Sequence, residues 1–231
     1  MLTDYEREAL LLSLKVASVS MLWLIPIGVF FAWLLSKKQF VGKSLLDSLI
    51  HLPLVLPPVV VGYLLLVTMG RQGILGGWLY ATTGLSFSFS WRGAALACIV
   101  VSLPLMVRSI RLSMEAVDYR YEQAARTLGA GGWKIFFTIT LPLIIPGILS
   151  GAMISFARSL GEFGATISFV SNIPGETQTI PLAMYNFLET PGAEAQAMRL
   201  CIISILLSLA SLYFSERLNH WMTQKLGVSQ K

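Results

Sequence analysis

Apolar residues gather along this chain into long unbroken blocks, roughly 11–35, 45–69, 93–110, 139–157 and 200–214, with the polar residues collected between them. None of the blocks alternates with a period of two, and most approach the ~20 residues that an α-helix needs to cross a bilayer. Lipid leaves a backbone only helices or closed barrels. The pattern therefore predicts an all-α integral membrane protein with about five transmembrane helices. The second block holds Pro53, Pro57, Pro58 and Gly62 and is expected to cross as one kinked helix. Pro104 interrupts the third block, and Pro142 and Pro146 fall in the early turns of the fourth. Residues 163–170 are apolar but too few to cross. Followed by SNIPGET and IPLAMYNFL, they read as a re-entrant or outer-face segment of the kind tolerated where irregular backbone packs on protein.

Composition supports the same class: 55% of the residues are hydrophobic and only 13% are charged, against about 45–50% and about 25% for soluble domains. The net charge of +5 does not point to nucleic acid, because the basic residues lie in short clusters beside the apolar blocks. Lys37, Lys38 and Lys43 follow the first block, and Arg108, Arg111, Arg120, Arg126 and Lys134 lie between the third and fourth. Arg217, Lys225 and Lys231 follow the last, whereas 159–198 carries Glu162, Glu176, Glu189 and Glu194 with no Lys or Arg. The positive-inside rule then places the N-terminus outside and the C-terminus in the cytoplasm. Residues 1–8 become an external segment, 9–217 the membrane domain and 218–231 a cytoplasmic tail. The opening MLTDYEREAL lacks the cationic start of a signal peptide. Cys98 and Cys201 sit inside apolar blocks and read as small buried hydrophobes rather than a disulfide or metal site.

Against this background the stretch EQAARTLGAGGWKIFFTITLP, residues 122–142, stands apart. Good helix formers occupy 121–128, with Glu122 four residues before Arg126, an order that favours an ion pair. Ala124 and Ala125 form a small-residue surface on which another protein can pack. Gly129, Gly131 and Gly132 permit a sharp turn, and Trp133 and Lys134 suit a membrane boundary. The block is thus a short cytoplasmic helix fixed by a turn to the start of a span. Residue physics alone leaves an ordinary connecting loop about as probable as a device that transmits a push.

The residues resemble the EAA loop of importer-type ABC transporter permeases. That pattern is Glu-Ala-Ala, three residues, Gly, nine residues, then Ile-x-Leu-Pro. Here Ala124 and Ala125 precede Gly129 by three residues, and Ile139, Leu141 and Pro142 follow after nine. The acidic residue is Glu122, set off from the alanines by Gln123. The resemblance implies the type I, methionine-permease-like fold over most of the chain. It also makes this loop a cytoplasmic coupling helix seated on an ATP-hydrolysing subunit, with Glu122, Ala124, Ala125, Gly129, Ile139, Leu141 and Pro142 as the coupling residues. ARSLGEFGATISFVSNIPGETQTIPLAMY and the short chain further resemble the oxyanion branch and, within it, the molybdate permeases; sulfate and thiosulfate permeases share the RSLGEFGA-like part. The implied partners are two copies of an ABC ATPase subunit, a periplasmic molybdate-binding protein, a second copy of this chain and membrane lipid. The implied location is the bacterial inner membrane. No cofactor or metal is expected on this chain, and ATP is used by the partner.

Arg158 and Glu162, four residues apart near the outer end of the fourth block, carry charge at membrane depth, which is costly and usually functional. Arg158 with Ser155, Ser159 and Thr166 could line an anion route; alternatively Arg158 and Glu162 brace the outer segment. Pro57 and Pro58 could form part of a gate or a purely architectural kink. His51 reads as an interfacial histidine. No Walker lysine motif, HExxH, GxSxG or paired cysteine ligands appear, and His51 and His220 alone cannot furnish an intramembrane active site. A membrane-embedded enzyme is therefore disfavoured. A stand-alone channel or secondary transporter would explain the spans but not the polar block.

Overall fold

Thr3 and Glu6 set the start of the first helix. The Thr3 hydroxyl accepts the Glu6 N–H at 3.3 Å while the Glu6 carboxylate accepts the Thr3 N–H at 2.7 Å, a reciprocal cap. Helix α1 therefore spans Asp4–Lys37, and residues 4–8 are its opening turns rather than a segment apart from it. The computed structural model describes residues 3–226. After α1 come α2 (Lys43–Val55), α3 (Pro58–Met69), α4 (Ile74–Thr83), α5 (Trp91–Ala116), α6 (Tyr119–Thr127) and α7 (Gly132–Ile135). A π-helical turn (Phe136–Thr140) leads into α8 (Leu141–Leu160), followed by α9 (Gly164–Val170), α10 (Ile180–Glu189) and α11 (Glu194–Leu226). Of the expected tail, 218–226 continues α11. Residues 227–231 and the side chain of His220 lie outside the described residues.

Among the described residues four helical stretches are long and apolar enough to cross a membrane: α1, α5, the run from Gly132 through α8, and the first 21 residues of α11. The fifth expected span differs from the prediction. It is not one kinked helix but two, α2 and α3, bent by 119° at their break. Consecutive prolines explain the difference. A residue before proline is pushed out of the α region, so Leu56 (ψ 143°) and Pro57 (ψ 135°) are both extended, and the ladder stops rather than bends.

At the centre, α5 packs on α1 and α8. Helices α1 and α5 run in the same direction: Lys15 lies over Trp91, the Ser20 hydroxyl donates to the Ala95 carbonyl at 3.0 Å, and Gly28 meets Met106. Helix α8 runs the opposite way, with the Ser109 hydroxyl donating to the Gly147 carbonyl at 2.9 Å and Ser102 facing Ser159 at 3.3 Å. Small residues at these crossings let backbones approach closely, as is usual where lipid supplies no hydrophobic drive between helices. One apolar cluster, with Val61, Ala97, Cys98 and Phe169, fills the half near the start of α5. A second, with Leu35, Met106, Ile110 and Ile144, fills the other half. Cys98 is buried there, as expected of a small hydrophobe, and Cys201 is half-buried. Large apolar side chains such as Leu22, Trp23, Val55, Ile202 and Phe214 point outward. Helices apolar on all sides are what a bilayer selects.

Candidate functional site

At the end of the bundle where α1 and α5 finish, the polar block folds into a helix, a turn and a span. The Asp118 carboxylate accepts the Arg120 N–H at 2.9 Å and starts α6. At the other end Ala130 N–H donates to the Ala125 carbonyl and Gly129 N–H to the Arg126 carbonyl, both at 3.0 Å. This is the Schellman closure, and it requires a left-handed residue at Gly129, whose φ is +79°. Helix α7 and the π-helical turn then lead into α8. Leu141 N–H reaches back to Phe136, and Pro142 has no N–H to give. The wider turn thus sits where the α-helical ladder would be interrupted anyway.

Glu122 points inward and is buried. Its Oε1 receives Lys37 Nζ at 2.6 Å and the Thr140 hydroxyl at 3.1 Å. The ion pair expected with Arg126 does not form. The membrane-facing side of α6 offers Glu122 a cation from the last turn of α1 and a hydroxyl from the π turn, while Arg126 stays exposed on solvent. The carboxylate thereby ties α6 to two membrane helices at once. Tyr121, Ala124, Ala125 and Leu128, at i, i+3, i+4 and i+7, share another face. There Ala124 is exposed, Ala125 half-buried and Leu128 87% exposed. Gly129 is also exposed, and Ile139, Leu141 and Pro142 are half-buried at the start of α8. Sequence reasoning missed Lys37, Thr140 and the exposed Tyr121–Leu128 face. The periodicity of 121–128 held a signal for that face; nothing in the spacing linked 37 to 122.

Deeper in the bundle, Arg158 Nη1 lies 2.7 Å from Glu162 Oε2 in an ion pair not aligned as a hydrogen bond. Glu162 is buried, and its Oε1 accepts the Ala165 N–H at 2.8 Å, so it holds the start of α9 as well as Arg158. Arg158 remains about a third exposed. Ser155 and Ser159 are buried between α8 and α5, paired with Ser102. The fully buried Thr166 hydroxyl donates to the Phe163 carbonyl at 2.8 Å. Of this group only Arg158 keeps substantial exposure; the hydroxyls are spent on helix contacts. Pro57 and Pro58 are exposed at the α2–α3 break, and a Cβ on Gly164 would lie 2.8 Å from Pro58 Cβ. Two helix breaks, α2–α3 and α8–α9, therefore meet beside the buried charge pair. Discontinuous helices meeting inside the membrane are the usual architecture of a transport site. Among the described residues no cluster of His, Cys, Asp or Glu could hold a metal ion.

A family model described as binding-protein-dependent transport system inner membrane component matches residues 24–224. The chain is 64% identical over 226 residues to the molybdenum transport system permease protein ModB of Escherichia coli strain K12, covering 98% of this chain and 99% of that protein. It is also 64% identical over 222 residues to the protein of the same name from Haemophilus influenzae, covering 96% and 97%. Among solved structures, the fold is similar to a chain of a bacterial alginate ABC transporter in complex with an alginate pentasaccharide-bound periplasmic protein. That likeness has a TM-score of 0.75 at 16% identity and covers 99% of this chain and 82% of that one. An inward-facing form of the MetNI methionine ABC transporter gives a TM-score of 0.71 at 14% identity, covering 93% and 94%.

Proposed function

This chain belongs to the family of binding-protein-dependent transport system inner membrane components, and on that premise we propose that it is the permease subunit of a molybdate importer. The observation that carries the substrate is the 64% identity, over nearly the full length of each chain, to two molybdenum transport permeases. Two copies of the chain form the pathway, since one coupling helix per chain has to serve a pair of ATPase subunits. A periplasmic binding protein delivers the oxyanion, and the ATPase subunits supply the energy. The asymmetry of loop charge puts the N-terminus and the α8–α11 connection outside, and α6 and the C-terminus in the cytoplasm.

In this reading the ATPase docks on the Tyr121–Leu128 face of α6, where apolar and small side chains lie open on a helix that faces water. Its movement passes through Glu122 to α1 and α8. The junction of the two helix breaks beside Arg158 and Glu162 is the gate region. A transporter supplied by a binding protein has no need of a tight site of its own, and strong coordination of a dianion would slow release. A single arginine, a third exposed and already paired with Glu162, suits that demand better than a cage of cations.

Reconstitution in proteoliposomes with the ATPase and binding protein tests the proposal. Uptake of radiolabelled molybdate should require ATP inside and binding protein outside, and excess sulfate should leave it nearly unchanged. Uptake that sulfate suppresses as well as molybdate does would favour the sulfate branch. Uptake without ATP would favour a secondary transporter. A reporter fused after Gly42 should be cytoplasmic, and one after Thr190 external.

A further inference from the structure

Between the last turns of α1 and the α6–α7 elbow lies a groove of about 800 Å³ that the coupling reading leaves unused. Its walls are aromatic. The rings of Trp33 and Trp133 stack with centroids 6.3 Å apart and planes 19° apart, and Phe137 stacks on Trp133 at 6.1 Å and 20°. Along the outward side of α1 the lining continues with Pro26, Val29 and the exposed Phe30, while Glu122 and Thr140, bonded to each other, are its buried polar members. At the mouth stand Lys37, Lys38 and Arg126. Lys37 is taken by Glu122, but Lys38 and Arg126 belong to no ion pair among the described residues. Lys38 instead lies 5.5 Å over the Trp33 ring. With the buried carboxylate neutralised by Lys37, the mouth carries two uncompensated positive charges.

The chemistry wanted here is specific. An apolar slot flanked by indole rings suits an acyl chain at the depth where Trp prefers to sit. Two open cations just beyond it suit a phosphate, and interfacial Lys and Arg attract anionic lipid headgroups. We infer that this groove is a site for one anionic phospholipid. Its phosphate is held between Lys38 and Arg126, and an acyl chain lies along Phe30 and Phe137. A phosphate so placed bridges α1 to α6, the two elements that the Lys37–Glu122 pair also joins. The inference rests on the transporter reading only in placing this end of the bundle at a membrane face, and its readout is lipid contact rather than transport.

The test uses the permease–ATPase complex in phosphatidylcholine nanodiscs carrying traces of photoactivatable phosphatidylglycerol or, in parallel, photoactivatable phosphatidylcholine, with adducts mapped by mass spectrometry. Phosphatidylglycerol should label the peptides around Trp33–Lys38 and 132–137 in excess over phosphatidylcholine. Lys38→Gln and Arg126→Gln should each reduce that excess roughly fivefold, the factor expected for one interfacial cation. Labelling around Trp23, on the outward face of α1, should not distinguish the lipids or the variants. Equal labelling of the groove by both lipids, or an excess that survives both substitutions, overturns the inference. So does labelling that is present in the permease alone and absent once the ATPase is bound, since the groove would then seat that subunit. Lys38 is exposed just past the end of α1, so Lys38→Gln alone carries the test if Arg126→Gln fails to assemble.

Discussion

Removing the charge from Lys37 isolates the tie between α6 and the long helices α1 and α8. In the native protein the Glu122 carboxylate has two partners, Lys37 at 2.6 Å and Thr140 at 3.1 Å, and its side chain is 6% exposed. Lys37→Met leaves a buried carboxylate with a single hydroxyl. A hydrogen bond to a charged group contributes about 1.5–3 kcal/mol, and a fully buried unpaired charge costs about 3–5 kcal/mol. Lys37 keeps about a quarter of its side chain in contact with solvent, so the lower range applies: roughly 2 kcal/mol lost from the attachment of α6. Glu122→Gln preserves acceptors for both partners and should cost about 1 kcal/mol or less. The Lys37→Met/Glu122→Met double variant removes the stranded charge, so it should be more stable than Lys37→Met alone, with a coupling energy of about 1–2 kcal/mol. The assays are thermal unfolding in detergent, co-purification of the ATPase and molybdate taken up per ATP hydrolysed. Lys37→Met should retain the ATPase, because the Tyr121–Leu128 face is untouched, yet should transport less per ATP. Wild-type uptake per ATP in Lys37→Met would refute the tie. A folded Glu122→Ala permease that no longer binds the ATPase would show that Glu122 belongs to the docking surface instead.

Substitutions at three further positions probe the elbow and the helix breaks. At Gly129 nothing lies within 4 Å of an added Cβ and φ is +79°, so Gly129→Val carries only the backbone cost of about 1–2 kcal/mol. It should insert normally but lose uptake, while Gly129→Asn, which tolerates the left-handed region, should stay near wild type; equal uptake by the two would argue against the elbow. Glu162→Ala strands Arg158 and uncaps Ala165 and should cost about 2 kcal/mol in thermal stability, whereas Glu162→Gln keeps an acceptor and should cost less than half of that; indistinguishable melting curves would remove the bracing role. A Cβ on Gly62 would run into the Ala165 backbone and the Ser168 side chain, so Gly62→Ala should cost about 1–3 kcal/mol by overpacking and reduce the amount of folded permease recovered; unchanged yield and melting would contradict the α3–α9 contact.

Hydrophobic blocks made most of the fold legible, because a bilayer filters sequences by a single property over long stretches. The helices at 4–37, 91–116 and 194–226 contain the predicted spans, and the block read at 139–157 falls on the end of the π-helical turn and on α8. The break at Leu56-Pro57 was misread as a kink. One proline within a helix removes one bond, and Pro53 does sit inside α2. Two in succession fix an extended residue ahead of each, and that distinction was available in the sequence. The Schellman turn was legible too, since Gly129 follows eight helix-forming residues. The Lys37–Glu122 pair and the Glu6–Arg199 pair at 2.9 Å were not. They join residues 85 and 193 positions apart, and no local pattern records which helices become neighbours.

Those two long-range pairs constrain how α1 can move. At one end of the helix Glu6, fully buried, binds Arg199 at the start of α11; at the other Lys37 binds Glu122 of α6. Between them α1 packs along α5, with Gly28 too close to Met106 for any side chain. A helix tied by ion pairs at both ends moves at each end only with the element it is tied to. Pro26 is the one interior position where α1 lacks a backbone N–H to complete its ladder, and it lies about half a turn from the Gly28 contact. Any flexure of α1 is therefore centred on Pro26, between the half that carries Glu6 and the half that carries Lys37. The half bearing Glu6 stays joined to α10 and α11, through the Tyr5–Asn186 hydrogen bond and the Ser13–Ile180 contact. If α6 moves with the ATPase as proposed, the half of α1 bearing Lys37 would swing against the half bearing Glu6, which its contacts with α10 and α11 hold in place.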